Sequence, residues 1–371
     1  MRPLRIAVVG AGHLGRIHTR LLKPLDDVEL VGVVDPLPEA RARIAAEYDV
    51  PVFEHQEDLP AGVDGAIVAT TTEYHHAVGT ALLRQGIHLF IEKPISSTVE
   101  QADELVGLAK ANGLVLQIGH VERFNPAWRA VAARVRRPRY IEAVRMSGYT
   151  FRSTDIGVVL DLMIHDLDLV LSTVRSEVVE IDAIGSTVFG PHEDMAHAHL
   201  RFANGCIANL NTSRTSFYSQ RTMQIVTDRV YGSVDFGDFS ARVVRPSKQV
   251  LRGEIDVQSM SVEERERVKH NLFTDMLPVT DLAVEKRNAI HDEQADFLNC
   301  IRTGRRPRVC GEQGRYCLSV AEKILDRIRE AEDLASRFPQ RLRVASRAKT
   351  TPPAALEQRP IGVIQRERRA G

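Results

Sequence analysis

A glycine-rich turn near the start of the chain sets the tightest limit on its fold. Arg5 to Val9 is a short apolar run leading straight into GAGHLG, where Gly10, Gly12 and Gly15 give the spacing GxGxxG. The RIHTRLLK that follows reads as a helix. A strand that turns on glycines into a helix lets the backbone approach a pyrophosphate, because no Cβ stands in the way. The helix start, from His13 and Leu14 to Gly15, then offers unpaired N–H groups to the anion. A second strand, VELVGVVD, ends at Asp35, twenty residues after Gly15, where a carboxylate takes the adenosine ribose hydroxyls of NAD. Asp35 repels a 2′-phosphate, so the pattern favours NAD over NADP. Arg41 and Arg43 on the next helix soften that preference.

The alternation then continues. Ala40–Tyr48 reads as a helix, Gly65–Ala69 as a strand, His75–Gln85 as a helix, Ile87–Ile91 as a strand, Val99–Asn112 as a helix and Leu114–Gly119 as a strand. Such a series predicts a doubly wound parallel sheet, an α/β domain over residues 1–121. Ligands in such a sheet sit beyond the carboxyl ends of the strands. Thr70 and Thr71 end one strand there, with His75, read from spacing alone as a helix-entry residue, just beyond. Glu92-Lys93-Pro94 ends another. Lys93 falls where a nicotinamide and a substrate meet, and an ammonium there stabilises negative charge on a reacting oxygen.

A different kind of stretch follows at Val158–Leu171, VVLDLMIHDLDLVL, in which ten of fourteen residues are apolar. Read as a helix, Asp161, His165 and Asp168 fall at i, i+4 and i+7 and form one polar stripe on an otherwise apolar cylinder. Asp161 then reaches His165 one turn away, fixing its tautomer and raising its basicity. Two readings stay open from this stretch alone: a self-satisfied pair in a core, or an acid–base dyad.

Tyr140–Tyr149, Val178–Val188, Met195–Phe202 and Cys206–Thr212 read as strands, the last two joined by an Asn204-Gly205 turn. Met223–Thr227 and Ser233–Phe236 extend the pattern around a turn at Tyr231-Gly232, and residues 241–276 read as a charge-rich insertion or loop. Asp292–Thr303 and Gln313–Glu330 regain helical spacing and are expected to dock on the first domain. The sum is an α+β domain over 122–335, with a large, mostly antiparallel sheet and one open face suited to a homodimer or homotetramer contact. Residues 336–371, rich in Arg, Pro and Ala, are expected to form a mobile tail.

Charge and composition remove several function classes. The 49 basic and 49 acidic residues cancel, so no global field recruits nucleic acid or an acidic membrane. No apolar run approaches the ~18 residues a membrane span needs. The N-terminus shows no signal-peptide pattern and the four cysteines no CxxC pair, which points to a reduced, cytoplasmic protein. His192, Asp194, His197 and His199 gather close in sequence but lack a third ligand at metal spacing, so no metal is expected.

In that order, GAGHLG, EKP and Asp161-x-x-x-His165 resemble the Gfo/Idh/MocA (glucose–fructose oxidoreductase / inositol dehydrogenase) family over roughly residues 4 to 330. The resemblance implies an N-terminal Rossmann domain binding NAD, Lys93 as the catalytic lysine, and His165, beside Asp161, as the acid/base. Thr70, Thr71 and His75 match the family's ATPxxxH stretch, with Thr71 in place of the usual proline, and Glu92 joins Lys93 against the cofactor. A narrower likeness lies in GHVERFNPA, Gly119 to Ala127, which resembles the branch acting on nucleotide-linked amino sugars. It implies oxidation at C3 of a UDP-N-acetylglucosamine to a 3-keto sugar. A PLP-dependent aminotransferase then uses the product for lipid A or lipopolysaccharide. Glu122, Arg123 and Asn125 then bear on substrate, an arginine fork and an amide suiting a diphosphate or N-acetyl group; the plain alternative pairs Arg123 with Glu122. An inositol or free-sugar dehydrogenase, and a non-catalytic NAD-binding sensor or scaffold, are the rival expectations.

Overall fold

The computed structural model describes residues 2–151 and 156–337. Six strands, β1 (Leu4–Val9), β2 (Val28–Val34), β3 (Val52–Phe53), β4 (Gly65–Val68), β5 (His88–Glu92) and β6 (Leu116–Gly119), make one sheet in the order β3-β2-β1-β4-β5-β6. Every pairing in it is parallel. Its central strands are continuous apolar runs because helices cover both faces: α1 (His13–Leu22), α2 (Pro38–Tyr48), α3 (Thr72–Arg84) and α4 (Val99–Ala111). The strand order reverses between β1 and β4, and that is where a crevice for a ligand opens.

The second sheet has eight strands: β7 (Tyr140–Met146), β8 (Val178–Ser186), β9 (Met195–Phe202), β10 (Ile207–Ser213), β11 (Gln220–Val226), β12 (Tyr231–Asp235), β13 (Ser240–Val244) and β14 (Val279–Asp281). All its pairings are antiparallel except β7 with β10. Along β7 the burial alternates, so Ile141, Ala143 and Arg145 face inward. Against that face lie α5 (Pro126–Ala132) and α6 (Ile164–Val174), with Trp128, Val131, Leu167 and Val170 in the shared core. On the other face His197 pairs with Asn211 at 2.7 Å and His199 with Asn209 at 2.8 Å across strands, while Asp194 of the same cluster takes Arg214 at 2.6 Å.

Two expectations are corrected. Tyr231 and Gly232 lie inside β12 rather than at a turn, and the chain reverses at Thr227–Val230. Gly232 is there for packing: a Cβ would stand 2.7 Å from Val131 Cγ1. Residues 241–276 are not a plain loop. They hold most of β13, then α7 (Lys248–Leu251), α8 (Val262–His270) and a π turn at Leu272–Met276. A capping box of Ser261 and Glu264 starts α8, which buries no residue and so has no hydrophobic period to read.

Two further helices, α9 (Ala289–Thr303) and α10 (Gly311–Arg337), return to the first domain. Phe297 and Leu298 of α9 join the cluster of Ile6, Val8 and Phe90. On α10, Leu318 packs under the first sheet while Ala321 and Ile324 pack under the second. The predicted tail lies outside the described residues from 338 onward. Among the described residues no helix is long and apolar enough to cross a membrane.

Candidate active site

The glycine turn is built for close approach. Gly10 adopts φ +100°, open to glycine and few others, and a Cβ on Gly15 would stand 1.8 Å from the Gly10 carbonyl oxygen. At Gly12, by contrast, a side chain would meet nothing within 4 Å, so a cradle lies open in front of the first turn of α1. No side chain caps that turn, which leaves its amides for an anion. Asp35, just beyond β2, is pinned by N–H groups of Ala11 at 2.7 Å and Leu37 at 2.9 Å. Arg41 donates to the Asp35 carbonyl at 2.7 Å and to Glu54 at 3.1 Å, so its charge already has a counter-ion. Open cradle, free amides and a fixed carboxylate together suit a dinucleotide without a 2′-phosphate.

Thr70 and Thr71 lie between β4 and α3, with Thr71 at the N-cap. His75 is buried, with Nδ1 2.8 Å from the Pro94 carbonyl and Nε2 3.2 Å from that of Thr70. Burial lowers its pKa, so the neutral ring carries one proton, which the shorter contact takes. His75 therefore ties the start of α3 to the loop that carries Lys93.

Lys93 reaches across to the helical segment of the second domain. Its ammonium donates to the Asp161 carbonyl at 2.7 Å and to Asp161 Oδ1 at 3.0 Å. The expected Asp161–His165 contact is replaced by this one. The segment does not begin as a regular helix: Val159–Met163 is a π turn, in which Ile164 N–H donates to the Val159 carbonyl. With i to i+5 bonding, Asp161 no longer stacks over His165.

His165 keeps partial exposure, while its Nδ1 is buried without a hydrogen-bond partner among the described residues. The expectation of raised basicity is reversed. Burial first, then the charges of Lys93 and Arg145, hold its pKa well below the usual 6.5. The imidazole is thus neutral through the neutral range. If His165 is the base, kcat/KM stays level through neutrality and its acid limb falls below pH 6.5. A pH–rate profile with the limb at or above 6.5 would remove His165 from that role.

The other two carboxylates of the stretch are structural. Asp168 takes a two-pronged bond from Arg123 at 2.6 and 3.1 Å. Asp166 takes one from Arg145 at 2.9 and 2.8 Å, and Arg145 also reaches Glu122 at 3.2 Å. Glu122 and Arg123 therefore do not pair with each other. Asn125 caps α5, accepting from Ala127 N–H at 3.0 Å and donating to Glu122 at 3.0 Å. A role for Arg123 and Asn125 in gripping a diphosphate or N-acetyl group does not fit this geometry, because their polar ends are taken by Asp168, by Glu122 and by a helix start.

Behind Lys93 lies a support that the sequence reading missed. The Gln294 amide of α9 donates to His18 Nδ1 at 2.8 Å and to the His18 carbonyl at 3.2 Å. A group that meets a carbonyl is the NH2 end, so Nδ1 accepts and Nε2 holds the proton. That Nε2 lies 2.8 Å from Glu92 Oε1, while Glu92 Oε2 accepts from the Lys93 N–H at 3.3 Å. His18, at i+3 from Gly15 on the buried face of α1, carried a legible signal. Gln294 carried none.

Residues 4–120 match the profile described as "Oxidoreductase family, NAD-binding Rossmann fold", and residues 127–231 that of the "GFO/IDH/MocA C-terminal domain". With the open phosphate cradle, these matches make the chain an NAD-dependent oxidoreductase. It belongs to the Gfo/Idh/MocA family. It is 36% identical over 323 residues to the UDP-N-acetylglucosamine 3-dehydrogenase of Acidithiobacillus ferrooxidans, covering 86% of this chain and 96% of that one. A solved structure of that enzyme superimposes with a TM-score of 0.78 at 34% identity, over 89% of this chain and 99% of the other. The myo-inositol 2-dehydrogenase of Thermotoga maritima is 26% identical over 364 residues, 89% of this chain and 98% of that protein.

Proposed function

We propose that this chain oxidises the C3 hydroxyl of UDP-N-acetylglucosamine to the 3-keto sugar. The support is the likeness to the Acidithiobacillus enzyme, at 36% identity along nearly its whole length, against 26% for the inositol dehydrogenase. NAD supplies the hydride acceptor when bound, held by the Gly10–Gly15 turn and Asp35. An ammonium has three protons, and Asp161 takes two of those of Lys93, leaving one for the substrate oxygen. There it steadies the charge that develops as the hydroxyl proton leaves. His165, neutral at working pH, takes that proton. Asp161 acts through Lys93, as a positioning residue.

The 3-keto product is a substrate for a PLP-dependent aminotransferase, and the resulting amino sugar serves lipid A or lipopolysaccharide. A homo-oligomer through the outer face of the second sheet completes the proposal. The test is NADH absorbance with NAD and, separately, UDP-N-acetylglucosamine, free N-acetylglucosamine, myo-inositol and scyllo-inositol. Turnover is expected with the UDP-sugar alone, and UDP is expected to inhibit. Turnover on an inositol without inhibition by UDP would overturn the assignment in favour of the free-polyol reading.

A further inference from the structure

A second feature lies away from Lys93 and His165. The tetrapeptide Arg-Arg-Pro-Arg occurs twice, at residues 136–139 and 305–308, in a chain whose total charge is zero. The fold brings Arg136 and Arg137 of the first copy and Arg308 of the second to one groove of about 860 Å³, at the carboxyl ends of α5 and α6. Arg123, Arg129, Arg136, Arg137, Arg175 and Arg308 line it. Arg123 is neutralised by Asp168, and Arg129 lies 3.7 Å from Asp292. Arg136, Arg137, Arg175 and Arg308 have no carboxylate within ion-pair distance among the described residues.

The plain explanation is that cations compensate helix carboxyl ends. Two such ends supply about half a negative charge each, so they offset roughly one of four guanidinium groups. About three positive charges remain. Arg308 has the opposite shift from Arg145, which sits between two carboxylates: its pKa is lowered, by burial first and then by Arg129. An unpaired guanidinium fork in a concave site matches phosphate oxygens better than it matches water.

We infer that this groove binds a soluble ligand carrying linked phosphates, at a site separate from the catalytic centre. Lys93, Asp161 and His165 do not line it. Arg175 stands ten residues beyond His165, on the order of 15 Å along a helix axis.

The experiment is calorimetric titration of inorganic tripolyphosphate into the full chain saturated with NAD, which fills the dinucleotide phosphate site. Wild type is compared with R136A/R137A/R308A and with R136K/R137K/R308K, each checked for melting temperature and NADH formation. One binding event is expected, weakened by at least about tenfold in the alanine variant and by added salt, with turnover unchanged. The lysine variant is expected to bind between the two. Absence of binding to wild type, or equal binding to the alanine variant, overturns the inference. So does displacement by UDP, which would make the groove part of the substrate pocket. Adsorption only to phosphatidylcholine vesicles containing phosphatidic acid, with no free tripolyphosphate bound, overturns it in favour of a membrane surface.

Discussion

Replacing Lys93 with alanine is expected to lower kcat by about 10²–10³-fold while NAD affinity changes by no more than a few-fold. The asymmetry follows from where the lysine points. Its ammonium is held on the Asp161 carbonyl and carboxylate across the domain boundary, away from the glycine turn and Asp35. On the proposed mechanism it stabilises charge that exists only as the hydroxyl proton departs. Removing it therefore costs the transition state more than the ground state. Asp35→Ala is expected to show the reverse, with NAD affinity falling and turnover at saturation largely kept. Steady-state kinetics and NAD titration on both variants decide the matter. Equal loss of turnover and NAD affinity in Lys93→Ala would count against the assigned role.

The largest effect on stability is expected at Arg145. Burial alone would lower its pKa, yet Asp166 and Glu122 reverse this and raise it, so the guanidinium stays charged inside the fold. Arg145→Met leaves two carboxylates buried without their cation, at a cost of about 3–5 kcal/mol. Urea unfolding of the intact chain would report it as an earlier midpoint for the second domain. Neutralising all three groups together, with E122Q and D166N added, is expected to cost less than the single change, because no charge is then left unpaired. A cost below about 1 kcal/mol for Arg145→Met would mean that water reaches the triad.

Much of this was readable in the chain. Strand, glycine turn and helix each impose strong local patterns, and Gly10 to Asp35 folds as the spacing requires. The place of Lys93, just past the carboxyl end of β5, was legible from the alternation of strands and helices. The helix around His165 was read correctly as an element and wrongly in detail. A π turn leaves no mark in hydrophobic periodicity, and it moved Asp161 from His165 to Lys93. Arg145 sits at an inward position of an alternating strand, but its partners lie 21 and 23 residues away, beyond any local rule. Gln294 meets His18 across 276 residues, and only tertiary structure could join them.

The return of α9 has a further effect on how the molecule is assembled. Phe297 fills the core beneath β1, and Gln294 secures the imidazole that steadies Glu92. The nucleotide-binding half, though it precedes the second domain in the chain, is thus incomplete until a segment well over two hundred residues beyond α1 has been made. Cut free at residue 121 it would expose an apolar scar, and on the ribosome it emerges well before the segment that fills its core has been made.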